Sequence, residues 1–150
     1  MPALKDTYIN ALLADATYAN GLLDGDAGAS LSDKLKTRMT PILAEFVAAN
    51  FEIAAHKESQ GVFDSGFDAT VWRGRPGTEY ADRTFVSMRG TQDFGDVVAD
   101  IDLTLQGAAR SQLVDMVNWW LQITTPVGSM ARQIHNGLAF EASPPVLGTG

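Results

Sequence analysis

The sequence predicts an α/β fold in which helices cover both faces of a central sheet, and three observations support this prediction. The first third of the chain has helical periodicity, a strand-turn-strand pattern follows it, and strand-like and helical periods then alternate. With 45% hydrophobic residues, the 150-residue chain can build the core of one domain. We expect a helical segment over about residues 3–57, a strand and helix segment over about residues 61–142, and a terminal loop over residues 143–150.

The N-terminal residues predict two helices separated by a turn. The first helix is indicated by apolar side chains that share one helical face: Leu4, Tyr8, Ile9, Leu12, Leu13 and Ala16. Gly21 is a suitable stop, and the Gly- and Asp-rich stretch around Asp24–Asp26 predicts a turn. Ser30 and Asp33 have the spacing of a capping box before the apolar residues Leu35 and Met39, which predicts a short second helix.

A third helix is predicted to begin at Thr40-Pro41, since proline favours the first helical position. Its apolar stripe consists of Ile42, Phe46, Ala49 and Ile53. The helix is expected to run to about His56. At such a helix end, the simplest role for His56 is an interaction with the last carbonyl groups.

A hairpin is predicted after Gly61, where the period changes from helical to two. The alternating residues are Phe67, Ala69 and Val71 on one side and Asp68, Thr70 and Trp72 on the other, as in a half-buried strand. The turn is GRPGT, in which Pro76 fixes its own φ and Gly77 tolerates a positive φ. The second arm includes Thr84–Met88 and leads to the corner Arg89-Gly90-Thr91.

Beyond this corner we expect a helix and then a strand. Asp93 can cap a helix with a shared apolar face made of Phe94, Val97, Val98 and Ile101. The alternation of Ile101, Leu103 and Leu105 predicts a strand that ends at Gly107.

The last predicted helix closes at Thr125-Pro126, because the residue before proline disfavours helical geometry. Its apolar face consists of Leu113, Met116, Val117, Trp120 and Leu121. Of the adjacent pair Trp119 and Trp120, we expect one ring in the core and the other partly exposed.

The charge and composition exclude several classes of partner and site. Eighteen acidic residues against eleven basic ones give a formal net charge of -7, so no nucleic acid is expected. The absence of cysteine removes disulfides, thiolate metal sites and a cysteine nucleophile. Four acidic residues follow the corner: Asp93, Asp96, Asp100 and Asp102. Acidic residues in the first turn of a helix are also explained by their favourable interaction with its N-terminus, so we expect no metal site here. We also expect no cofactor.

The N-terminus and the hydropathy pattern bear on localisation. Charged residues interrupt the N-terminal stretch at Lys5, Asp6 and Asp15, so a cleaved secretory signal is not predicted. The chain has no run of about 18 consecutive apolar residues, so no transmembrane segment is predicted. We expect a protein that is either cytoplasmic or secreted by a route without a cleaved signal.

The stretch FVSMRGT, Phe85–Thr91, with the acidic and apolar pattern through Asp100, resembles the class 3 lipase family of the α/β-hydrolase fold. Upstream, LLADATYA and SGFDATVWR are similar to the family's N-terminal helix and first hairpin, and Ile134–Gly137 is similar to the segment before the nucleophile strand. The resemblance covers most of the chain, and the Arg-Gly-Thr corner is its most specific part. It implies the N-terminal part of an α/β-hydrolase fold, with helices, an antiparallel hairpin and then β/α units, and a secreted lipase or esterase that degrades lipids.

In that family, the residue in the position of Thr91 helps to form the oxyanion hole, and the chemistry explains why. Acyl transfer puts negative charge on the carbonyl oxygen, so fixed donors at that point stabilise the transition state more than the ground state. A main-chain N–H just after a strand end is free of the sheet ladder, and the hydroxyl of Thr91 adds a second donor. Gly90 allows the backbone to turn sharply there.

A serine nucleophile is not found in the chain. The family places it on a Gly-x-Ser-x-Gly turn, because only small neighbours permit the strained elbow. None of the serines has both glycines: Ser30, Ser32, Ser59, Ser65, Ser87, Ser111, Ser129 and Ser143. His56 and His135 lie upstream of the family's catalytic histidine. The resemblance therefore implies the N-terminal portion of a longer hydrolase, which is inactive alone.

Two other interpretations of the corner stay open. Arg-Gly-Thr can be merely a strand end, with Arg89 in an ion pair and Thr91 capping the next helix. The chain can also be a non-catalytic binding or inhibitory module with a lipase-like half-fold. A half sheet would expose an edge that pairs or aggregates. The expected partners are therefore an ester lipid substrate and, at that edge, the remaining polypeptide or a second copy.

Overall fold

The computed structural model describes residues 4–58, 67–89, 101–134 and 146–147, which belong to two compact units. Unit 1 comprises Met1–Glu58 and Asp68–Gly90, and unit 2 comprises Ser59–Phe67 and Thr91–Gly150. In chain order the elements are α1 (Leu4–Ala16), α2 (Gly28–Leu35), α3 (Pro41–Asn50), β1 (Phe51–Lys57), β2 (Asp68–Gly74), β3 (Thr84–Arg89), α4 (Ile101–Thr124), β4 (Met130–Ala131) and β5 (Val146–Leu147). These helices and strands confirm a mixed α/β class.

Helix α1 and the turn after it agree with most of the sequence pattern. Ile9, Leu13 and Ala16 are buried as the shared apolar face predicts, whereas Tyr8 is 54% exposed. The helix ends at Ala16, five residues before the predicted stop, and Gly21 has a φ of 71°, a conformation that favours glycine. Asp24–Asp26 form the expected turn, which also pairs with β1: Gly25 N–H donates to the Ile53 carbonyl at 2.8 Å, and Ile53 N–H donates to the Asp26 carbonyl at 2.9 Å.

Helix α2 is confirmed, but the capping box predicted from Ser30 and Asp33 is wrong. The helix begins at Gly28, and the residue before it, Ala27, makes no side-chain cap. Ser30 therefore lies inside the helix. Its hydroxyl reaches back four residues and donates to Oδ1 of Asp26 at 3.3 Å.

Helix α3 ends at Asn50, so its predicted extension to His56 is wrong, as is a wholly helical segment over residues 3–57. The buried face consists of Ala44, Val47 and Ala48, whereas Ile42 is 79% exposed. Phe51 and Ile53 instead alternate with Glu52 as the first residues of a strand. A short apolar run fits both periods, so periodicity alone does not separate a helix from a strand here.

The hairpin of β2 and β3 is confirmed. The strands are antiparallel, with a register that runs from Arg73↔Thr84 to Asp68↔Arg89, and Gly77 in the turn has a φ of 81°. The sheet order is β1-β2-β3, and both pairs are antiparallel, so no parallel pair occurs among the described strands. As the central strand, β2 is buried on both faces rather than half-buried.

The core of unit 1 lies between the helices and one face of the sheet. It contains four large aromatic side chains, Phe51, Trp72, Tyr80 and Phe85, together with apolar residues of all three helices. The ring of Phe51 lies 4.8 Å from Tyr80 and 5.6 Å from Phe85, measured between centroids. These contacts hold the hairpin turn and β3 against β1.

Unit 2 is dominated by α4. The strand predicted from Ile101, Leu103 and Leu105 is wrong, because those residues lie within this helix. Their alternation covers only a few residues, and the helix continues through Gly107 into Ala108, Ala109 and Arg110, which are strong helix formers. The predicted closure before Thr125-Pro126 is confirmed, since the helix ends at Thr124.

The side chains of unit 2 confirm the interpretation of the tryptophan pair. Trp119 is 8% exposed and meets Phe67 edge to face at 5.9 Å, whereas Trp120 is 44% exposed. Asn118 bonds both main-chain groups of Ile134, at 2.9 and 2.7 Å. Val146–Leu147 form a short strand with β4 inside the predicted terminal loop, so that stretch is not wholly a loop.

Candidate functional site

The predicted oxyanion-hole residue, Thr91, lies outside the described residues, as do Gly90, Asp93 and His135. The structure describes the chain up to Arg89, the last residue of β3. Polar side chains of unit 1 gather at this end of the sheet. We call Tyr18, His56, Asp68, Thr70 and Arg89 the polar strand end.

Arg89 is anchored by two contacts within the polar strand end. Asp68 faces it across the β2–β3 ladder, and Nε of Arg89 lies 3.3 Å from Oδ2 of Asp68. The guanidinium carbon lies 4.7 Å from the ring centroid of Tyr18, which is cation–π distance. Asp68 is buried and Arg89 is largely buried, so the pair is less screened by solvent than a surface pair. The ion pair that the strand-end interpretation expects for Arg89 is thus present.

His56 lies on β1 rather than at a helix end, so the role predicted for it at the last carbonyls of a helix is wrong. Its Nδ1 is 2.9 Å from Oγ1 of Thr70, and its main-chain N–H donates to Oδ1 of Asp24 at 2.6 Å. Burial lowers the pKa of His56 from its ordinary value, while the nearby carboxylates of Glu58, Asp68, Asp24 and Asp26 act in the opposite direction. The structure therefore favours the neutral imidazole.

His56, Thr70 and Ser87 occupy one row across the three strands, because Thr70 pairs with both of the others in the register. Thr70 is fully buried and Ser87 nearly so. The imidazole–hydroxyl contact resembles a base and its nucleophile in geometry, but a substrate does not reach a fully buried hydroxyl. The contact with Thr70 therefore orients the His56 ring and provides a hydrogen-bond partner for its Nδ1 atom.

The sequence interpretation missed both partners of Arg89. A turn confined to Gly74–Thr78 would pair Arg73 with Glu79 and leave Asp68 opposite Thr84. The observed connection is longer and pairs Arg73 with Thr84, which puts Asp68 opposite Arg89 as a favourable charged pair. No sequence signal marks Tyr18, because its position depends on how α1 packs against β3.

The described part of the chain contains neither a metal-ligand cluster nor a membrane-spanning helix. Within residues 4–58, 67–89, 101–134 and 146–147, no group of three or more His, Asp or Glu residues is suited to a metal ion. In the same ranges, no helix has both the length and the hydropathy that a membrane span requires.

The chain matches no protein-family model, no curated protein and no solved structure. Its function is therefore inferred from its own residues.

Lowering the pH is expected to destabilise the protein through His56. Because its pKa is lowered on folding, the unfolded chain binds the proton more readily, and the stabilisation is complete only above the unfolded pKa of about 6.5. As the pH falls through about 6.5, the free energy of unfolding should fall, and solvent screening of this half-buried group keeps the fall small.

Urea unfolding between about pH 7.5 and 5.5 measures this effect. The control is His56→Asn, which keeps a hydrogen-bonding atom near the Nδ1 position but does not titrate in this range. The variant should lose less stability than the wild type over the same interval. Equal losses in both proteins would show that His56 is not the responsible group.

Proposed function

We propose that this chain supplies the oxyanion-hole corner of a serine ester hydrolase, a lipase or carboxylesterase that acts on lipid esters. In this proposal Thr91 is the contributing residue. The serine, the histidine and the acid of the triad come from polypeptide outside these 150 residues. The proposal extends the resemblance at Arg89-Gly90-Thr91 to a chemical role.

The observation that carries the proposal is the anchored end of β3. Its last described residue, Arg89, pairs with Asp68 in the ladder and through its side chain, and also packs on Tyr18. Thr91 follows two residues later. Oxyanion donors are effective only when they are fixed before the charge develops, because no reorganisation is then needed during the reaction. A firmly held strand end directly before Thr91 supports that requirement.

The chemistry assigns one role to each group. The serine hydroxyl attacks the ester carbonyl while the histidine removes its proton, and the same histidine returns the proton to the departing alcohol. The carbonyl oxygen becomes negative in the tetrahedral intermediate. The main-chain N–H and the hydroxyl of Thr91 donate to this oxygen, together with a second backbone N–H. Water then hydrolyses the acyl-enzyme by the reverse sequence of steps.

Hydrolysis of p-nitrophenyl butyrate tests the proposal. The isolated 150-residue chain should release p-nitrophenol no faster than buffer, because it lacks a Gly-x-Ser-x-Gly nucleophile. The polypeptide encoded by the full reading frame, with any residues beyond Gly150 included, should be active and should contain that motif within a few dozen residues. Robust turnover by the isolated chain would show that the active site has been misplaced.

One observation favours the second candidate, a non-catalytic binding module. Val86 and Met88, at alternate positions of β3, are 36% and 50% exposed. Neighbouring exposed apolar side chains are a feature of interaction surfaces. A stop codon directly after Gly150, with no ester hydrolysis in any form of the protein, would favour this candidate over the hydrolase.

A further inference from the structure

A groove between α2 and α3 forms a cavity of about 330 Å³, apart from the polar strand end. Its walls include small residues of both helices, Gly28 and Ala29 on α2 and Ala48 and Ala49 on α3. The volume corresponds to about ten water molecules at about 30 Å³ each, which is room for a molecule of about ten non-hydrogen atoms. We call this cavity the α2–α3 groove.

Ser32 gives the α2–α3 groove an unused hydrogen-bonding group. The residue lines the groove and is only 6% exposed, and its Oγ has no hydrogen-bond partner in the part of the chain that the structure describes. Ser30 on the same helix differs, because its hydroxyl bonds Asp26. A buried hydroxyl without a partner is costly. The Oγ atom is itself buried, so binding requires a change of the χ1 rotamer that brings the Ser32 hydroxyl into the groove.

Two features of the α2–α3 groove favour a carboxylate. Arg75 lines it and donates from Nη1 to the Ala48 carbonyl at 3.0 Å, which leaves other guanidinium donors for a ligand. Gly28 and Ala29 begin α2, and Ala27 before them provides no side-chain cap. The N–H groups of a first helical turn attract anions, and Arg75 adds a full positive charge.

The charges along the α2–α3 groove indicate a positive group at the other end of the ligand. Lys36 and Asp33 neutralise each other in a 3.1 Å pair. Arg75 and Glu45 form no ion pair with any described residue. Glu45 is exposed and lies about one helical turn, roughly 5 Å along the axis, from Ala48 and Ala49. An ammonium group beside Glu45 would complete the balance of charge.

We propose that the α2–α3 groove binds a dipeptide-sized zwitterion. The ligand's carboxylate lies at Arg75 and the first turn of α2, its peptide group bonds the Ser32 hydroxyl, and its ammonium group lies at Glu45. The small walls fit a ligand with short side chains. The volume of the groove, with room for about ten non-hydrogen atoms, fits a dipeptide better than a single α-amino acid. This site is independent of the proposed esterase function.

Titration of the 150-residue chain with glycylglycine, followed by the amide resonances of α2 and α3, tests the proposal. We expect saturable shifts at Gly28, Ala29 and Ala49, with a Kd on the order of 1 mM. Acetate carries only the negative group of the proposed ligand, and ethylamine carries only the positive group. Both should bind at least about tenfold more weakly than glycylglycine.

Two variants with a matched control separate binding from folding. Ser32→Ala should weaken binding about fivefold or more while leaving the free energy of unfolding unchanged or raised, because it removes an unpartnered buried hydroxyl. Ser30→Ala, on another face of the same helix, should leave the Kd unchanged. Glu45→Gln changes an exposed residue and should weaken glycylglycine binding about tenfold without affecting acetate.

Three results would overturn the proposal. The first is an absence of saturable shifts up to about 30 mM glycylglycine, well above the expected Kd. The second is unchanged binding in both Ser32→Ala and Glu45→Gln; Glu45→Gln alone decides this point if Ser32→Ala does not fold. The third is acetate binding as tight as that of glycylglycine, which would identify an anion site rather than a zwitterion site.

Discussion

Replacing Thr91 by valine in the full-length polypeptide is expected to lower kcat for ester hydrolysis by about 10²- to 10³-fold. Valine has nearly the shape of threonine but lacks the hydroxyl, so the change removes one donor to the oxyanion. The donor acts on the transition state rather than on the bound ester, so KM should change little. Steady-state kinetics with p-nitrophenyl butyrate measures both constants.

Thr91→Ser is the matched control, because it keeps the hydroxyl and removes only a methyl group. It should retain most of the wild-type kcat, and both variants should unfold at nearly the wild-type urea concentration. Equal activity of Thr91→Val and the wild type would remove Thr91 from the oxyanion hole. A loss of activity that follows a loss of folding in Thr91→Val would instead favour the strand-end interpretation, in which the residue caps a helix.

Gly74→Ala is expected to destabilise unit 1 by more than about 3 kcal/mol. Gly74 is the last residue of β2, and a Cβ added to it would lie 1.7 Å from the main-chain oxygen of Tyr80 and 2.3 Å from the carbonyl carbon. These atoms belong to the backbone, so rotation of a side chain does not relieve the clash. The turn between β2 and β3 would have to move, and the buried ring of Tyr80 would move with it.

Gly77→Ala, in the same turn, is the control for Gly74→Ala. No atom lies within 4 Å of a Cβ added there, but its φ of 81° strains any residue other than glycine. We expect a cost of about 1 kcal/mol from this strain. Urea unfolding compares the two variants. Recovery of Gly74→Ala with the stability of Gly77→Ala would contradict the close packing of the turn against β2.

The elements that could be predicted from the sequence have either a long periodic pattern or a turn or proline residue that acts on its immediate neighbours. Helix α1 has an apolar face that repeats over about three turns, and the β2–β3 hairpin has turn residues with distinct backbone preferences. The closure of α4 before Thr125-Pro126 follows from the geometry of proline alone. Such signals depend on the residues nearby and not on the rest of the fold.

Strand β1 could not be predicted, because tertiary contacts decide its structure. Phe51 and Ile53 fit a helical stripe as well as a strand, but in the folded chain they pair with β2 and with the turn at Asp24–Asp26. A continued helix would satisfy the same main-chain groups, so hydrogen bonding alone does not favour the strand. The strand is favoured by its pairing and packing within the whole sheet. The error at Ile101–Gly107 is of the same kind, with the long helix α4 in place of the predicted strand.

Of the candidate site, the sequence indicated Thr91, which lies outside the described residues, so its role stays a prediction. That prediction depends on a resemblance in a few residues, whereas the anchoring of Arg89 by Asp68 and Tyr18 depends on strand register and on the packing of α1. The register depends on the length of the connection between β2 and β3, which extends beyond the predicted turn, so the sequence did not place Asp68 opposite Arg89. The contact with Tyr18 could not be predicted either, because no periodicity relates a helix near the N-terminus to the end of β3.

The amide proton of Thr91 gives the most direct test of its assignment to the oxyanion hole. It can be followed by NMR in the full-length polypeptide before and after the serine reacts with a phosphonate ester, which leaves a stable mimic of the tetrahedral intermediate. The proposed role predicts an amide that exchanges readily with solvent in the free protein, and that shifts downfield and becomes protected in the adduct. An amide that is already protected in the free protein and does not shift in the adduct would contradict that role.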